Sequence, residues 1–319
     1  MNDLISELSK PQLFAIYSVI IVVCVEKWLV LPEKMHPLTF ARLIAQGMAY
    51  KVSSRQSGNA LQQSIAGTLA PLVLLNPFIV VLALLMYLAE YPIFFESLLL
   101  FVALRFKPII SLCQKIHKAL SAEKKALARQ QLQNMVLRQT ASLSALGMTK
   151  ACIESLLLRF SHQYCTVIIV YLVGGGIAAL TYRLLFEFSH SWHCRLPRFE
   201  YFGKPVRRLM GCIQYLPARF ASLSFMLVQS TGAAWRVFVQ KSVLKQTRFF
   251  ILNGQGAALG VQLGGPVYYA QDKLRLAKCG GSRLVRTDDI SRTVLVIQRA
   301  QWVFLMVCII VSLLLNIGS

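Results

Sequence analysis

The stretch IAGTLAPLVLLNPFIVVLALLMYLA, from Ile65 to Ala89, is predominantly apolar and carries no charged side chain. A helix needs about 20 apolar residues to cross the hydrocarbon core of a bilayer, so this stretch is long enough to span a membrane. Two prolines, Pro71 and Pro77, interrupt it without adding charge. The stretch therefore decides the fold class, and we predict an integral membrane protein built from helices.

The composition of the whole chain favours the same class. Of 319 residues, 56% are hydrophobic and 15% are charged, against roughly 45–50% and 25% in ordinary globular proteins. Length alone would suggest about two soluble domains. A chain so apolar can expose little of its surface to water, which argues against that alternative.

Other apolar stretches lie on both sides of the first. Leu13 to Leu31 and Trp302 to Ile317 are candidate spans, whereas Pro92 to Leu104 is short and carries Glu96, which suggests an interfacial or re-entrant path. Two further stretches are broken by glycine or proline, namely Thr166 to Phe186 and Met210 to Val228. We expect an all-α, polytopic helical bundle with four to six membrane helices, forming a single domain over residues 1–319.

The charge is strongly positive, since 34 Lys and Arg oppose 13 Asp and Glu, giving +21. Nucleic-acid binding would explain such a balance, but membrane proteins also concentrate Lys and Arg in cytoplasmic loops. We favour the second explanation and expect a lipid bilayer, not a nucleic acid, as the partner. An anionic substrate fits the same charge. The cations between Arg105 and Arg138 predict a cytoplasmic loop over residues 105–165, with a helix in the segment SAEKKALARQQLQNMVLR.

A glycine-rich stretch, ILNGQGAALGVQLGGPVYYAQ from Ile251 to Gln271, raises the question of nucleotide binding. Leu259 occupies the position of the third glycine in a dinucleotide-binding loop, and no G-K-[ST] motif is present, so the conventional loops are excluded. Gly256, Gly260 and Gly264 recur every four residues, which would place them on one helix face. Such a face indicates close helix packing, and the neighbouring Asn253 and Gln255 leave a polar pocket possible.

The motif HSWHC offers His190, His193 and Cys194 as metal ligands. It lacks a fourth ligand at a convincing spacing, so we predict no metal site there and interpret Trp192 as an interfacial residue. The eight cysteines include no CxxC pair and indicate no disulfide framework.

Four blocks in order resemble the adenosylcobinamide-phosphate synthase (CobD/CbiB) family of cobalamin biosynthesis. They are HPLTFARLI (His36 to Ile44), RQTASLSALGMTKACIESL (Arg138 to Leu156), FGKPVRRLMGCIQYLPARF (Phe202 to Phe220) and NGQGAALGVQLGGPVYY (Asn253 to Tyr269). The resemblance implies a multi-pass protein of the bacterial plasma membrane. It also implies ATP-dependent amide formation between a corrinoid carboxylate and aminopropanol or its phosphate, with ATP and Mg²⁺ as cofactors.

The resemblance also implies a set of site residues. Glu154, His36 and Arg138 would be catalytic. The implied substrate-binding residues are Thr140, Arg159, Arg219, Asn253, Gln255, Gly256, Gly264, Gly265 and Tyr268.

The chain departs from the family pattern in its acidic residues. An acidic, Asn-bearing run usual in the family corresponds here to SLLLRFSHQYC, after Glu154, and the acidic pair expected before PAR corresponds to Met210 and Gly211. A non-catalytic relative, a sensor or regulator of the kind associated with β-lactamase induction, is therefore the alternative function. We favour the enzyme because helix packing alone would not require Arg138, Glu154 and Arg219.

Overall fold

The computed structural model describes residues 11–29, 32, 36–52, 59–194, 196–229, 232, 235, 247–269 and 272–317. Helices dominate it, which confirms the all-α prediction. In chain order they are α1 (Pro11–Trp28), α2 (Pro37–Val52), α3 (Ala60–Leu88), α4 (Pro92–Ala103), α5 (Lys107–Ser121), α6 (Lys125–Gln133), α7 (Ala145–Arg159), α8 (Thr166–Ser191), α9 (Lys204–Val228), α10 (Thr247–Leu259) and α11 (Asp289–Ile317). A π-helix, Phe160–Cys165, connects α7 to α8, and a short 3-10 helix, Pro197–Phe199, precedes α9.

Two small antiparallel sheets lie between α10 and α11, where the sequence predicted no strands. Strand β1 (Gln262–Leu263) pairs with β4 (Cys279–Gly280). Between them, β2 (Pro266–Tyr269) pairs with β3 (Asp272–Arg275). The sequence LGGPVYY thus lies in strands β1 and β2 and in the loop between them, and not in a helix.

The prediction that three glycines share one helix face is wrong. Helix α10 ends at Leu259, and Gly260 has a φ of +72°. That left-handed conformation favours glycine and ends a helix, because no side chain clashes with the backbone there. Gly256 lies within α10, whereas Gly264, with a φ of +75°, lies in the loop between β1 and β2.

The residues pack as two compact units. Unit 1 contains Met1–Arg105, Thr166–Gln214 and Ile309–Ser319, and unit 2 contains Phe106–Cys165 and Tyr215–Cys308. Each unit is assembled from segments far apart in sequence, so neither is a separate stretch of chain. The single domain expected over residues 1–319 stays a prediction.

In unit 1, α8 is the central helix and packs against α1, α2, α3 and α4. Its glycine run forms a kink, since Gly175 has φ 73° and ψ −172°. Trp192 is fully buried, stacks on Phe188 and donates a 2.9 Å hydrogen bond from Nε1 to the carbonyl of Ala45. The interfacial role predicted for Trp192 is therefore wrong, because its ring packs inside the protein and its N–H is satisfied there.

In unit 2, α7 is the central helix and contacts α5, α6 and α10. The aromatic rings of Phe106, Phe160, Tyr164 and Phe304 pack together with centroid separations from 5.6 to 6.3 Å. The helix predicted in the segment SAEKKALARQQLQNMVLR is confirmed as α6, which covers Lys125–Gln133 of that segment.

Three helical stretches of the described chain are long and apolar enough to cross a bilayer: Ala60–Leu88, Ala145–Ser191 and Asp289–Ser312. They confirm the membrane class. The count of four to six crossings, and the cytoplasmic location of residues 105–165, stay predictions.

Candidate functional site

Glu154 is a buried carboxylate at the centre of unit 2, with a side chain only 4% exposed. Its Oε1 accepts a 2.7 Å hydrogen bond from the backbone N–H of Gly264. Its Oε2 lies 3.4 Å from Nη1 of Arg138 and 3.8 Å from Nη2 of Arg248. A buried carboxylate is tolerated when it is paired in this way. The structure thus brings together three residues that the sequence placed in the site, Glu154, Arg138 and Gly264.

Helix α7 positions Glu154 on its buried face. The helix is capped by Ser144, whose Oγ accepts a 3.2 Å hydrogen bond from the N–H of Gly147. Such a cap satisfies an N–H group that has no partner within the helix. Lys150 lies one turn before Glu154, so both side chains share one face of α7.

The loop after β1 supplies the N–H donor and requires glycine. Gly264 and Gly265 have φ values of +75° and +98°. A Cβ on Gly264 would also overlap the carbonyl oxygen of Ala277. Residue 264 must therefore be glycine for two reasons, its left-handed backbone conformation and the close approach of the neighbouring backbone.

Positive charge surrounds the single carboxylate. Arg138, Lys150 and Arg248 all act on Glu154 or its neighbour Cys279. Lys150 Nζ lies 3.6 Å from the position that a Cβ would take on Gly265. With three cations to one anion, this site favours an anionic ligand such as a phosphate or carboxylate group.

Cys279 is a buried thiol beside this cluster. Burial first, and then the negative charge of Glu154, raise its pKa to about 11, while Lys150 and Arg248 act in the opposite direction. The thiol is thus protonated at neutral pH and is not poised as a nucleophile.

The polar residues of α10 serve the packing of unit 2. Asn253 Oδ1 accepts a 2.8 Å hydrogen bond from the N–H of Gly280, and Gln255 Nε2 donates to Ser161 Oγ at 3.3 Å. A Cβ on Gly256 would lie 3.0 Å from Leu263 and 3.2 Å from Gly280. These contacts hold α10 against strands β1 and β4, which keeps Gly264 beside Glu154.

The other expected binding residues of unit 2 lie in varied surroundings. Arg159 donates from Nη2 to the carbonyl of Met135 at 3.0 Å, and Thr140 is buried, with its carbonyl accepting from the N–H of Leu143. Arg219 stacks on Tyr215 at 3.5 Å from the ring centroid. The backbone of Tyr268 lies in β2, but its side chain is outside the described part of the structure. Their roles in substrate binding stay predictions.

His36 belongs to unit 1, so it is described separately from Glu154. Its Nδ1 accepts a 3.2 Å hydrogen bond from the N–H of Leu38 at the start of α2. Burial first, and then the positive charges of Arg105 and Arg183, lower the pKa of His36 to about 4, while the charge of Glu187 acts in the opposite direction. The ring is neutral at physiological pH, and its catalytic role stays a prediction.

Two cations that lie beside Glu154 were not predicted from the sequence to belong to the site. Lys150 precedes Glu154 by four residues, and that spacing on a helix was a usable signal. Arg248 lies near the start of α10, five residues before Asn253, and only the fold brings it to α7.

The donor set of this site fits phosphate better than a metal ion. Among the described residues, no group of three or more His, Cys, Asp or Glu could hold a metal. Oε1 of Glu154 is already bonded to Gly264, so the carboxylate offers Mg²⁺ little beyond one oxygen. A phosphate group, in contrast, matches the cluster of Arg138, Lys150 and Arg248.

Comparison with known proteins points to one family. The family model described as CobD/Cbib protein matches residues 19–297. A cobalamin biosynthesis protein CobD of Chromobacterium violaceum is 27% identical over 289 residues, covering 89% of this chain and 93% of the relative. A protein of the same name from Stutzerimonas stutzeri is 28% identical over 176 residues, 54% of this chain and 58% of the relative. No solved structure matches the chain.

Proposed function

Because this chain belongs to the CobD/CbiB family, we propose that it is an adenosylcobinamide-phosphate synthase acting in cobalamin biosynthesis. In the proposed reaction, ATP activates a side-chain carboxylate of adenosylcobyric acid. The nitrogen of aminopropanol, or of its phosphate, then attacks the activated carbonyl carbon. A C–N bond forms, the activating group leaves with the carboxylate oxygen, and the amine loses a proton.

The arrangement around Glu154 is the observation that supports this proposal. ATP, the carboxylate and the phosphorylated amine are all anionic, and Arg138, Lys150 and Arg248 supply cations where the family's glycine-rich block meets α7. Cations fixed in a low-dielectric site stabilise negative charge that develops on transferring groups. Their positions suit them to bind and orient the anionic groups.

Glu154 is suited to hold the amine. Its Oε2 lies 3.4 Å from Arg138 and 3.8 Å from Arg248, longer contacts than the 2.7 Å bond at Oε1, so it retains lone pairs for a further donor. We assign it the role of orienting the amine and accepting its proton. Oε1 remains bonded to Gly264 and fixes the direction in which Oε2 faces.

The test is conversion by the purified protein in detergent. The protein is incubated with adenosylcobyric acid, aminopropanol phosphate and MgATP, and the corrinoid mass is followed by chromatography and mass spectrometry. We expect a mass gain that corresponds to amide formation and depends on ATP. Glu154→Gln should lower the rate by about 10²-fold or more, as loss of a positioned acid–base group does.

Glu200→Gln is the matched control. It makes the same chemical change in a side chain that is 51% exposed and, among the described residues, pairs with the surface Lys204. Full activity of Glu200→Gln beside an inactive but folded Glu154→Gln would support the assignment. Normal activity of Glu154→Gln would contradict the assigned role.

The alternative function is a non-catalytic membrane relative. It draws support from Arg159, which follows Glu154 in the region where the family's acidic run is replaced and is bonded to the carbonyl of Met135. No product from this protein, alongside an active synthase in the same detergent, would favour that alternative.

A further inference from the structure

A second charged cluster belongs to unit 1. Glu187 on α8 is 3% exposed and accepts two hydrogen bonds at Oε2 from Arg42, at 2.9 Å from Nε and 2.6 Å from Nη2. Its Oε1 lies 2.7 Å from Nη1 of Arg183, which is itself 3% exposed. We call Arg42, Arg183 and Glu187 the α2–α8 cluster.

The cluster holds more positive than negative charge. Two arginines share the one carboxylate of Glu187. Burying a guanidinium is costly unless its charge and its N–H groups are satisfied. Nε of Arg183 is buried and makes no hydrogen bond to any described residue. Glu187 alone therefore neither balances the charge of the two arginines nor pairs all of their N–H groups.

The cluster has hydrogen-bond donors to spare. Arg42 holds Glu187 through Nε and Nη2, which leaves Nη1 for another partner, and its side chain is 34% exposed. Planar guanidinium groups match the oxygens of a tetrahedral oxyanion.

We propose that the α2–α8 cluster binds a phosphate-type oxyanion, held by Arg42 and Arg183. Glu187 acts as the positioning residue that holds both arginines. The bound group would supply the second negative charge that the cluster lacks. A free phosphorylated metabolite and the phosphate of a lipid headgroup share this chemistry. The site goes beyond the proposed synthase reaction and does not depend on it.

The experiment measures binding of inorganic phosphate to the full chain in maltoside detergent. Equilibrium dialysis with radiolabelled phosphate gives the affinity, and thermal unfolding gives the shift in midpoint, with chloride matching the ionic strength. We expect Arg42→Gln to weaken binding by about tenfold or more, because it removes a charge-assisted donor. Arg42→Lys keeps the charge without the planar fork and should weaken binding less.

Arg198→Gln is the matched control for lost charge. Arg198 belongs to the same unit but stacks on Tyr50 and donates to its carbonyl, outside the cluster. We expect this variant to bind phosphate like the wild type. Equal binding by the wild type and Arg42→Gln would overturn the proposal, as would equal losses in Arg42→Gln and Arg198→Gln.

Adding phosphatidylglycerol tests whether the bound phosphate group comes from a lipid headgroup or from a free metabolite. If a headgroup occupies the site, the lipid should raise the unfolding midpoint of the wild type more than that of Arg42→Gln and should compete with inorganic phosphate. If the ligand is a free metabolite, phosphate should bind equally well with and without the lipid. Either result leaves the oxyanion site in place, whereas no response to phosphate or lipid would refute it.

Discussion

At the scale of single residues, Cys279 reports the charge state of the proposed catalytic site. Its thiol is 7% exposed, and its pKa of about 11 results first from burial and then from the negative charge of Glu154. A thiol reacts as the thiolate, so a raised pKa slows alkylation at neutral pH. The reactivity of Cys279 is therefore linked to the presence of a charged group at residue 154.

We predict that Glu154→Gln lowers the pKa of Cys279 and speeds its alkylation. Removing the carboxylate charge leaves Lys150 and Arg248, which favour the thiolate. The measurement is the rate of iodoacetamide modification between about pH 7 and 10, followed by mass spectrometry of the peptide that contains Cys279. The wild-type rate should rise through this range, and the variant should reach any given rate at lower pH.

Glu200→Gln again provides the comparison, because its carboxylate belongs to a surface pair in the other unit. Its Cys279 profile should match that of the wild type. An unchanged profile in Glu154→Gln would mean that Glu154 and Cys279 are not neighbours, which would contradict the arrangement of unit 2.

At the same scale, part of the site could be predicted from sequence and part could not. The family blocks contain Glu154, Arg138 and Gly264, and the fold brings these three together. Arg248 and Cys279 were missed because nothing in local spacing links them to α7. Their proximity arises because α10 packs against that helix and β4 packs against α10.

At the scale of elements, two helices of unit 2 end in the same backbone motif. After α5, the N–H of Lys124 bonds to the carbonyl of Ala119, and that of Glu123 bonds to Leu120. After α10, Val261 and Gly260 make the equivalent bonds to Gly256 and Ala257. This is the Schellman motif, whose left-handed residue is usually glycine. One helix has Gly260 there, and the other has Glu123 with a φ of 57°.

We predict that Glu123→Gly stabilises the protein. A side chain in the left-handed region costs about 1–2 kcal/mol, and glycine removes this cost while losing part of the gain through the greater freedom of the unfolded chain. A net gain of about 0.5–1 kcal/mol should raise the thermal midpoint by about 2 °C in a chain of this size. Intrinsic fluorescence in detergent would measure it.

Lys124→Gly is the neighbouring control, because Lys124 has a φ of −77° and gains nothing from glycine. We expect it to lower the midpoint, since glycine adds only unfolded-state freedom there. A lower midpoint for Glu123→Gly as well would show that the side chain of Glu123 contributes more than its backbone strain costs.

These two helix ends also show where sequence patterns mislead. Spacing by fours in Gly256, Gly260 and Gly264 predicted a helix face, yet Gly260 ends α10 by adopting the left-handed conformation. In the basic region, the segment predicted as helical begins at Ser121, yet α6 begins only at Lys125, and no glycine or proline marks the left-handed residue Glu123 before it. Periodicity indicates which segments are helical, whereas the residues that end them depend on backbone conformation.

At the scale of the whole molecule, charge and hydrophobicity together predict the topology. The membrane class was evident from composition, because 56% of residues are hydrophobic. The three stretches able to cross a bilayer confirm it. The side on which each loop lies depends on the distribution of Lys and Arg, since short cytoplasmic loops retain positive charge. Residues 105–165 are the strongest candidate for such a loop.

We predict that residue 124 faces the cytoplasm. Lys124 is exposed between α5 and α6, in the basic region, so a cysteine there would meet reagents dissolved in water. In intact spheroplasts, a membrane-impermeant maleimide should leave Lys124→Cys unmodified, and it should label the residue once the membrane is permeabilised. Mass spectrometry of the peptide distinguishes this cysteine from the native ones. Labelling before permeabilisation would place the basic region outside and would mean that its charge serves an anionic ligand and not topology.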